Sequence, residues 1–201
     1  MEAKKIFDRV APLYDYIEFI PEIVAFSRWR KILWSMVDGQ RILELGIGTG
    51  KNVPYFPEGK VYGCDISWNM LKVARNKKDI DLSSVPLAIM DVEDLAYRDN
   101  SFDTVVGSFI ICSVDHPLKS FKEIQRICKP GGKVLFMENV RSKHKITGLI
   151  MDAVNAITSR IKGAHITRPT LDNIKKSDLE VIELIPLFLD ISWIIVCRNP
   201  E

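Results

Sequence analysis

The chain is short of the features that mark exported, metal-holding or strongly charged proteins. Its four cysteines, Cys64, Cys112, Cys128 and Cys197, are far apart, with no C-x-x-C pair and no zinc-like spacing. Neither a disulfide framework nor a metal centre is expected, and the thiols read as reduced and mostly buried. Lys and Arg number 28 against 26 Asp and Glu, a net +2 over 201 residues, so nothing global attracts a polyanion. The opening "MEAKKIFDRV" lacks the apolar stretch of an export signal, which favours the cytoplasm. No repeat or low-complexity stretch interrupts the chain. No apolar run is long enough to cross a bilayer. The longest, residues 181–198, is broken by Glu183, Pro186 and Asp190 and reads as two core strands.

Glycine is present where it is least expected. In "ILELGIGTGKN" at 42–52, Gly46, Gly48 and Gly50 alternate directly after an apolar run. Glycine costs backbone entropy, but it permits positive φ and lets a ligand come close to the main chain. The dinucleotide fingerprint G-x-G-x-x-G needs a glycine at 51, where Lys51 stands. The phosphate loop G-x-x-x-x-G-K-[ST] is excluded by Leu45 and Asn52. What remains is [DE]-x-G-x-G-x-G, read as Glu44 to Gly50.

Around this turn the pattern alternates. Residues 4–36 read as helical, with Pro12 and Pro21 expected to break or kink them. Strands are expected at 41–45, 60–65, 85–91, 102–109 and from 133. Helices are expected at 68–78, capped by Ser67, at 116–129 with Pro117 in its first turn, at 146–161 and from Thr170. Two closely spaced strands near 179–185 and 191–197 imply an antiparallel hairpin on the sheet. The expectation is a single Rossmann-like, doubly wound α/β domain: a seven-stranded sheet, mostly parallel with a C-terminal antiparallel strand, and a ligand at the strands' carboxyl ends. Residues 1–38 form a helical lid, 39–140 the cofactor-binding core, and 141–201 the acceptor-side helices and terminal hairpin.

Asp65 lies 19 residues beyond Gly46, at the end of strand two, where a carboxylate can accept both hydroxyls of a ribose; that alone suits either adenosine cofactor. Asp91 ends strand three. Its carboxylate can take an exocyclic amine while the Val92 amide takes a ring nitrogen, or it can simply form a turn.

Together these residues resemble the class I S-adenosylmethionine-dependent methyltransferases, in the type 11 branch that holds quinone C-methyltransferases and bacterial phospholipid N-methyltransferases. "FDRVAPLYDY", "ILELGIGTG", "VYGCDISWNML", "MDVEDLAYRDNSFD" and "EIQRICKPGGKVLFMENV" match family motifs in order over nearly the whole chain. The resemblance implies S-adenosylmethionine as cofactor and S-adenosylhomocysteine as product. It implies that Glu44, Gly46 and Gly48 hold the methionine portion and Asp65 the ribose. Ile66 and Met70 would flank the adenine that Asp91 and Val92 bind, and Ser108 would lie near the methionine half or serve as packing. The methyl is already electrophilic, so alignment and exclusion of water are the main tasks.

The acceptor is read from the flanks. The "FDRVAPLYDY" segment resembles a lid of the quinone enzymes, making Tyr14 a candidate for contacting cofactor or acceptor, or a core tyrosine. "GIGTGKNVPYFP" and "GAHITRPTLDNI" resemble phospholipid N-methyltransferases; "CSV" and "FMENV" resemble membrane-associated thiol methyltransferases. Residues 141–168 hold six Lys/Arg against the one acid Asp152, a net +5, around an apolar stripe from Ile146 to Ile161. "FSRWRKILW" interleaves Trp29 and Trp34 with Arg28, Arg30 and Lys31. Basic residues beside aromatics suit peripheral contact with an anionic membrane on its inner face, although an amphipathic helix packed on its own core would look the same. The expectation is a small or membrane-resident amphiphile: a phosphatidylethanolamine-type amine first, with quinone C-methylation or lipophilic thiol S-methylation as alternatives. Arg28, Glu138, His165 and Arg168 are the acceptor-binding candidates, and Tyr14 and His165 the catalytic ones. Nucleic acid is not expected as a partner: "SFIICS" replaces the Asn/Asp-Pro-Pro-Tyr motif, and Cys112 lacks the preceding proline of base C5-methylation. A non-catalytic cofactor-binding protein is the alternative of another class.

Overall fold

The computed structural model describes residues 2–58, 60–162 and 165–201, and only the backbone of Glu2 and residues 160–162. The strands are β1 (Arg41–Leu45), β2 (Lys60–Asp65), β3 (Leu87–Ile89), β4 (Phe102–Ser108), β5 (Cys128–Asn139), β6 (Glu180–Phe188) and β7 (Ser192–Arg198). They form one sheet in the order β3-β2-β1-β4-β5-β7-β6. The first five pair in parallel, and β7 runs antiparallel between β5 and β6. The expected mostly parallel seven-stranded sheet is present.

Strands buried on both faces alternate their side chains between two cores. Leu43, Leu45, Val105, Val134, Phe136 and Ile195 face one way. There they meet Phe121 and Ile124 of α5 (Pro117–Ile127). Ile42, Val106, Leu135 and Ile194 face the other way, against Leu33 and Trp34 of α3 (Ser27–Ser35). By the same alternation Glu44 shares the face of Ile42, which decides its surroundings below.

The N-terminal segment departs from the expected break at Pro12, while at Pro21 a short helix does end. Helix α1 (Glu2–Ile17) continues through Pro12. A proline interrupts a helix by withholding an N–H from the carbonyl four residues back. Here that carbonyl is Asp8 O, and the Asn69 side-chain amide donates to it at 2.9 Å. The cost of the proline is thereby offset by a contact that docks α1 on α4 (Trp68–Asn76). The short helix α2 (Phe19–Pro21) leads into a π-helical turn, Glu22–Phe26, before α3. Elsewhere α5 stops at Ile127, and β5 already begins at Cys128, ahead of Pro130-Gly131-Gly132. The remaining helices are α6 (Lys145–Lys162) and α7 (Thr170–Lys175).

Candidate active site

Parallel strands deliver their carboxyl ends to one edge, and the strand order lines up Asp91, Asp65, the Gly46 turn and Ser108 along it. The order turns back between β1 and β4, the position at which open α/β sheets bind ligands. A cleft of about 710 Å³, open solvent included, lies there. Its walls include Tyr14, Gly46, Gly48, Asp65, Ile66 and Met70, and also Asp91, Val92 and Ser108. Nine of the ten cofactor candidates are thus brought together.

Gly48 shows why its position excludes side chains. Its φ is +58°, and an added Cβ would meet only Gly46 O, at 3.8 Å, so it would project into the cleft. The Gly48 N–H donates to Asp65 Oδ2 at 2.8 Å, and Ser67 N–H donates to Oδ1 at 2.8 Å. Each carboxylate oxygen keeps a second lone-pair direction for a ligand hydroxyl. Burial raises the Asp65 pKa to about 6, against the lowering effect of those amides. At β3, Asp91 Oδ1 accepts from the Glu93 N–H at 2.9 Å, fixing the turn that presents Val92.

The tenth candidate, Glu44, does not reach the cleft. The pleat turns it toward α3, where it accepts from Asn52 Nδ2. Asn52 in turn donates to Ser108 Oγ at 3.1 Å and accepts from Arg30 Nη1 at 2.9 Å. Glu44 therefore braces the groups behind the glycine turn. Its own pKa is pushed up to about 7 by burial.

Four acceptor-side candidates also lie outside the cleft. Glu138 is fully buried on the α5 face, where its carboxylate accepts from Ile111 N at 2.7 Å. It props the turn after β4, where Phe109 holds φ +54°, a conformation costly for a bulky side chain. Arg168 Nη1 donates to Val114 O at 2.6 Å, and the exposed His165 donates its backbone N–H to Cys112 O. Both tie the chain after α6 to the β4–α5 connection. Arg28 is exposed and is not among the residues that line this cleft. In the Trp/Arg cluster, Arg30 and Trp34 are buried, which removes them from any membrane surface.

The N-terminal helices are fastened by three carboxylates seven residues apart. Asp8 accepts from Ser67 Oγ at 2.6 Å, and Asp15 from Thr49 Oγ at 2.7 Å; Asp15 also pairs with Lys77 at 2.6 Å. Glu22 pairs with Lys51 at 3.6 Å and accepts from Arg30 Nε at 2.9 Å. Two helical turns per seven residues put Asp8 and Asp15 on one face of α1, a pattern visible in the sequence.

Beside the cleft lies a second chamber, of about 880 Å³, between the N-terminal helices and α6. It shares Phe7, Tyr14, Phe109 and Ser113 with the cleft. Phe26, Val154 and Ile166 add to a mostly apolar wall, and Phe26 stacks on Phe109 at 4.8 Å. Tyr14 stands at the junction, and burial first, then the charge of Glu18, drives its pKa far up, so the phenol is a donor. Sequence reading missed Phe7, Phe26, Phe109 and Ser113 because aromatic and small residues on helices and turns carry no motif.

Comparison with known proteins agrees with this geometry. Residues 43–136 match the family described as Methyltransferase domain. The demethylmenaquinone methyltransferase of Paenarthrobacter aurescens is 34% identical over 171 residues, covering 80% of this chain and 66% of that protein. The chain belongs to the class I S-adenosylmethionine-dependent methyltransferases. The demethylmenaquinone methyltransferase of Renibacterium salmoninarum is 37% identical to this methyltransferase over 143 residues, 68% of the chain and 58% of the relative. The chain thus spans about three fifths to two thirds of the length of these relatives. A Thermotoga maritima structure described as an S-adenosylmethionine-dependent methyltransferase, possible histamine N-methyltransferase, superposes with TM-score 0.75. It is 23% identical and covers 97% of this chain and 99% of that one, which fixes the fold.

The cleft of this methyltransferase fits the family's cofactor. Asp65, Asp91, Glu93 and Asp115 line it, with no Lys, Arg or His among its described walls. A pyrophosphate would meet only like charge there. A ligand with a sulfonium, an amine and a ribose diol meets acceptors.

Proposed function

We propose that the protein transfers a methyl group from S-adenosylmethionine to a ring carbon of a demethylated quinol bearing an apolar tail. The observation that carries this reading is the apolar chamber opening off the cofactor cleft. A phospholipid amine is the weaker reading, because no described wall of the chamber carries a cation for its phosphate. The names of the relatives also favour the quinone over the phospholipid.

The cofactor supplies a methyl already activated on positive sulfur. The chain's part is to hold and align. Asp65 would accept the ribose hydroxyls, Asp91 the adenine amine and the Gly46–Gly48 turn the methionine end. Tyr14, donor at the junction, would hold an acceptor oxygen, and the lid excludes water while Asp8, Asp15 and Glu22 keep it seated.

The way in for a tailed acceptor is marked by an inverted helix. Between residues 16 and 24 every exposed side chain is apolar: Tyr16, Ile17, Phe19, Ile20, Ile23 and Val24. Glu18 and Glu22 are turned inward. Across the chamber, α6 exposes Ile146, Leu149, Ile150, Val154 and Ile157, so its stripe is not packed on the core; the side chains of Arg160, Ile161 and Lys162 lie outside the described residues. Apolar faces of this kind mark interaction surfaces. They support contact with a bilayer from which the acceptor enters, through residues other than Arg30 and Trp34. No helix among the described residues is long and apolar enough to cross one.

The test is incubation with methyl-labelled cofactor, vesicles and three acceptors: a demethylmenaquinol, phosphatidylethanolamine and a long-chain thiol. Label in the quinol ring, lost when Ile20 and Ile23 are both changed to Ser and vesicles are the only source of acceptor, is the expected result. Label in the lipid amine or the thiol alone would reject the quinol.

A further inference from the structure

We infer that Asn139 determines acceptor specificity: its side-chain amide donates to the acceptor ring oxygen that lies farther from the cofactor. The inference rests on the quinol reading above. In a demethylmenaquinol the two hydroxyls stand on opposite sides of one ring. The carbon to be methylated neighbours one of them, and the tail-bearing carbon neighbours the other. One held oxygen leaves the ring free to turn, whereas two fix which carbon meets the methyl.

The chamber offers few donors for this. Of the polar residues that line it, Glu18 and Thr158 have partners of their own. Cys112 Sγ donates to Phe109 O at 3.2 Å. The Tyr14 phenol, the Ser113 hydroxyl and the Asn139 amide remain. Tyr14 and Ser113 line both cavities, so they meet an oxygen beside the cofactor. Asn139 lines only the chamber, whose apolar wall includes Phe26, Val154 and Ile166, so it meets an oxygen on the tail's side.

The amide is also held in the orientation that donates. Asn139 ends β5, and strand alternation puts it on the face of Leu135 and Met137, toward the N-terminal helices. Its cross-strand partner on β7 is Ser192, and Val140 N–H donates to Ile191 O at 2.7 Å just beyond the pair. Ser192 is 3% exposed, and its Oγ donates to Asn139 Oδ1 at 2.6 Å, the hydroxyl's one bond among the described residues. Turning the amide over would set that buried hydroxyl hydrogen against an NH₂ group and strand it. With Oδ1 taken, the two hydrogens on Nδ2 are left for a ligand, since none of the described residues accepts them. The consequence is discrimination. A ring with both oxygens binds more tightly than the same ring without the oxygen beside its tail.

The experiment titrates the protein–S-adenosylhomocysteine complex, without oxygen, with two ligands. One is a short-tailed demethylmenaquinol; the other is its analogue with hydrogen in place of the hydroxyl beside the tail. The readout is the ratio of their dissociation constants in wild type, Asn139→Leu and Ser192→Ala, with melting temperature as a check on folding. Wild type is expected to prefer the diol by about tenfold, the effect of one hydrogen bond and of the donor its loss strands. Asn139→Leu should weaken the diol alone and bring the ratio below about threefold, with S-adenosylhomocysteine affinity kept within about twofold. Ser192→Ala should give an intermediate ratio, because the amide stays but is no longer pinned; an unchanged ratio there overturns the pinning. A wild-type preference under about threefold overturns the inference, as does an Asn139→Leu ratio that stays above it. If Asn139→Leu does not fold, the double variant Asn139→Leu/Ser192→Ala decides by the same ratio, since removing both partners strands no buried group. Wild type that labels no quinol in the test above rejects the quinol reading, and the inference falls with it. Wild type that labels the quinol but shows no preference for the diol rejects the inference alone.

Discussion

The cofactor cleft and the chamber beside it share Phe7, Tyr14, Phe109 and Ser113, yet they are built from opposite materials. The cleft is made at strand ends from carboxylates, main-chain amides and glycines. The chamber is made from the faces of helices and one strained turn, mostly with aromatic and aliphatic side chains. The first recognises a ligand by polar atoms at fixed positions, the second by shape and by exclusion of water. A fold family can therefore keep the cleft while it changes the chamber, and function follows the site more closely than the fold. The N-terminal helices belong to both: Asp8, Asp15 and Glu22 tie them down beside the cleft, while Tyr14, Glu18 and Phe26 line the chamber.

Changes in the two regions should separate cleanly. The largest effect is expected from Asp65→Ala. Losing two charge-assisted hydrogen bonds to ribose, each about 1.5–3 kcal/mol, should weaken S-adenosylhomocysteine by at least about a hundredfold. A variant that instead melts lower and binds normally would make Asp65 a purely structural cap for Gly48 and Ser67.

Val154→Asp should act only on the chamber. Val154 is 42% exposed at the chamber wall, so the fold can accommodate a carboxylate there, but an apolar tail would have to desolvate it. A penalty of about 2 kcal/mol raises the acceptor KM about thirtyfold. S-adenosylhomocysteine affinity should stay within about twofold. Equal losses on both ligands would show that the two cavities act as one.

The smallest of the three effects is a pH dependence specific to the cleft. Burial raises Asp65 to about 6, so the free folded chain holds that proton more tightly than the unfolded chain does. Its ionised form costs stability as pH rises from about 4 toward 6, and ribose hydroxyls donated to the carboxylate offset that cost. Cofactor-product affinity should therefore rise with pH through about 6 and fall about tenfold between pH 7 and pH 5. The dependence should vanish in Asp65→Asn, whereas a slope that survives there would belong to Asp91, Glu93 or Asp115.

How much of this was legible before folding differs between the two regions for a physical reason. Gly46, Gly48, Asp65 and Asp91 lie at or just beyond strand ends, and parallel strands must bring their carboxyl ends to one edge. Their spacing along the chain is therefore nearly a spatial statement. Strand alternation and the hairpin were readable in the same way, from hydrophobic period and turn residues. Glu44 was misplaced because motif spacing says nothing about the pleat, which sends alternate side chains to opposite faces. Arg30 and Trp34 looked like interfacial residues because a basic–aromatic stretch reads the same whether it meets lipid or packs on a sheet. Pro12 looked like a break because the donor that satisfies Asp8 O, the side chain of Asn69, lies 61 residues away.

The sequence by itself determined the sheet, the cofactor edge and the excluded ligands, since these depend on local period and on residues at strand ends. Only the tertiary structure decided the chamber, the seating of the N-terminal helices and the outward apolar face from Tyr16 to Val24. These depend on which side of a helix meets another element, and that is set by contacts between residues far apart in the chain.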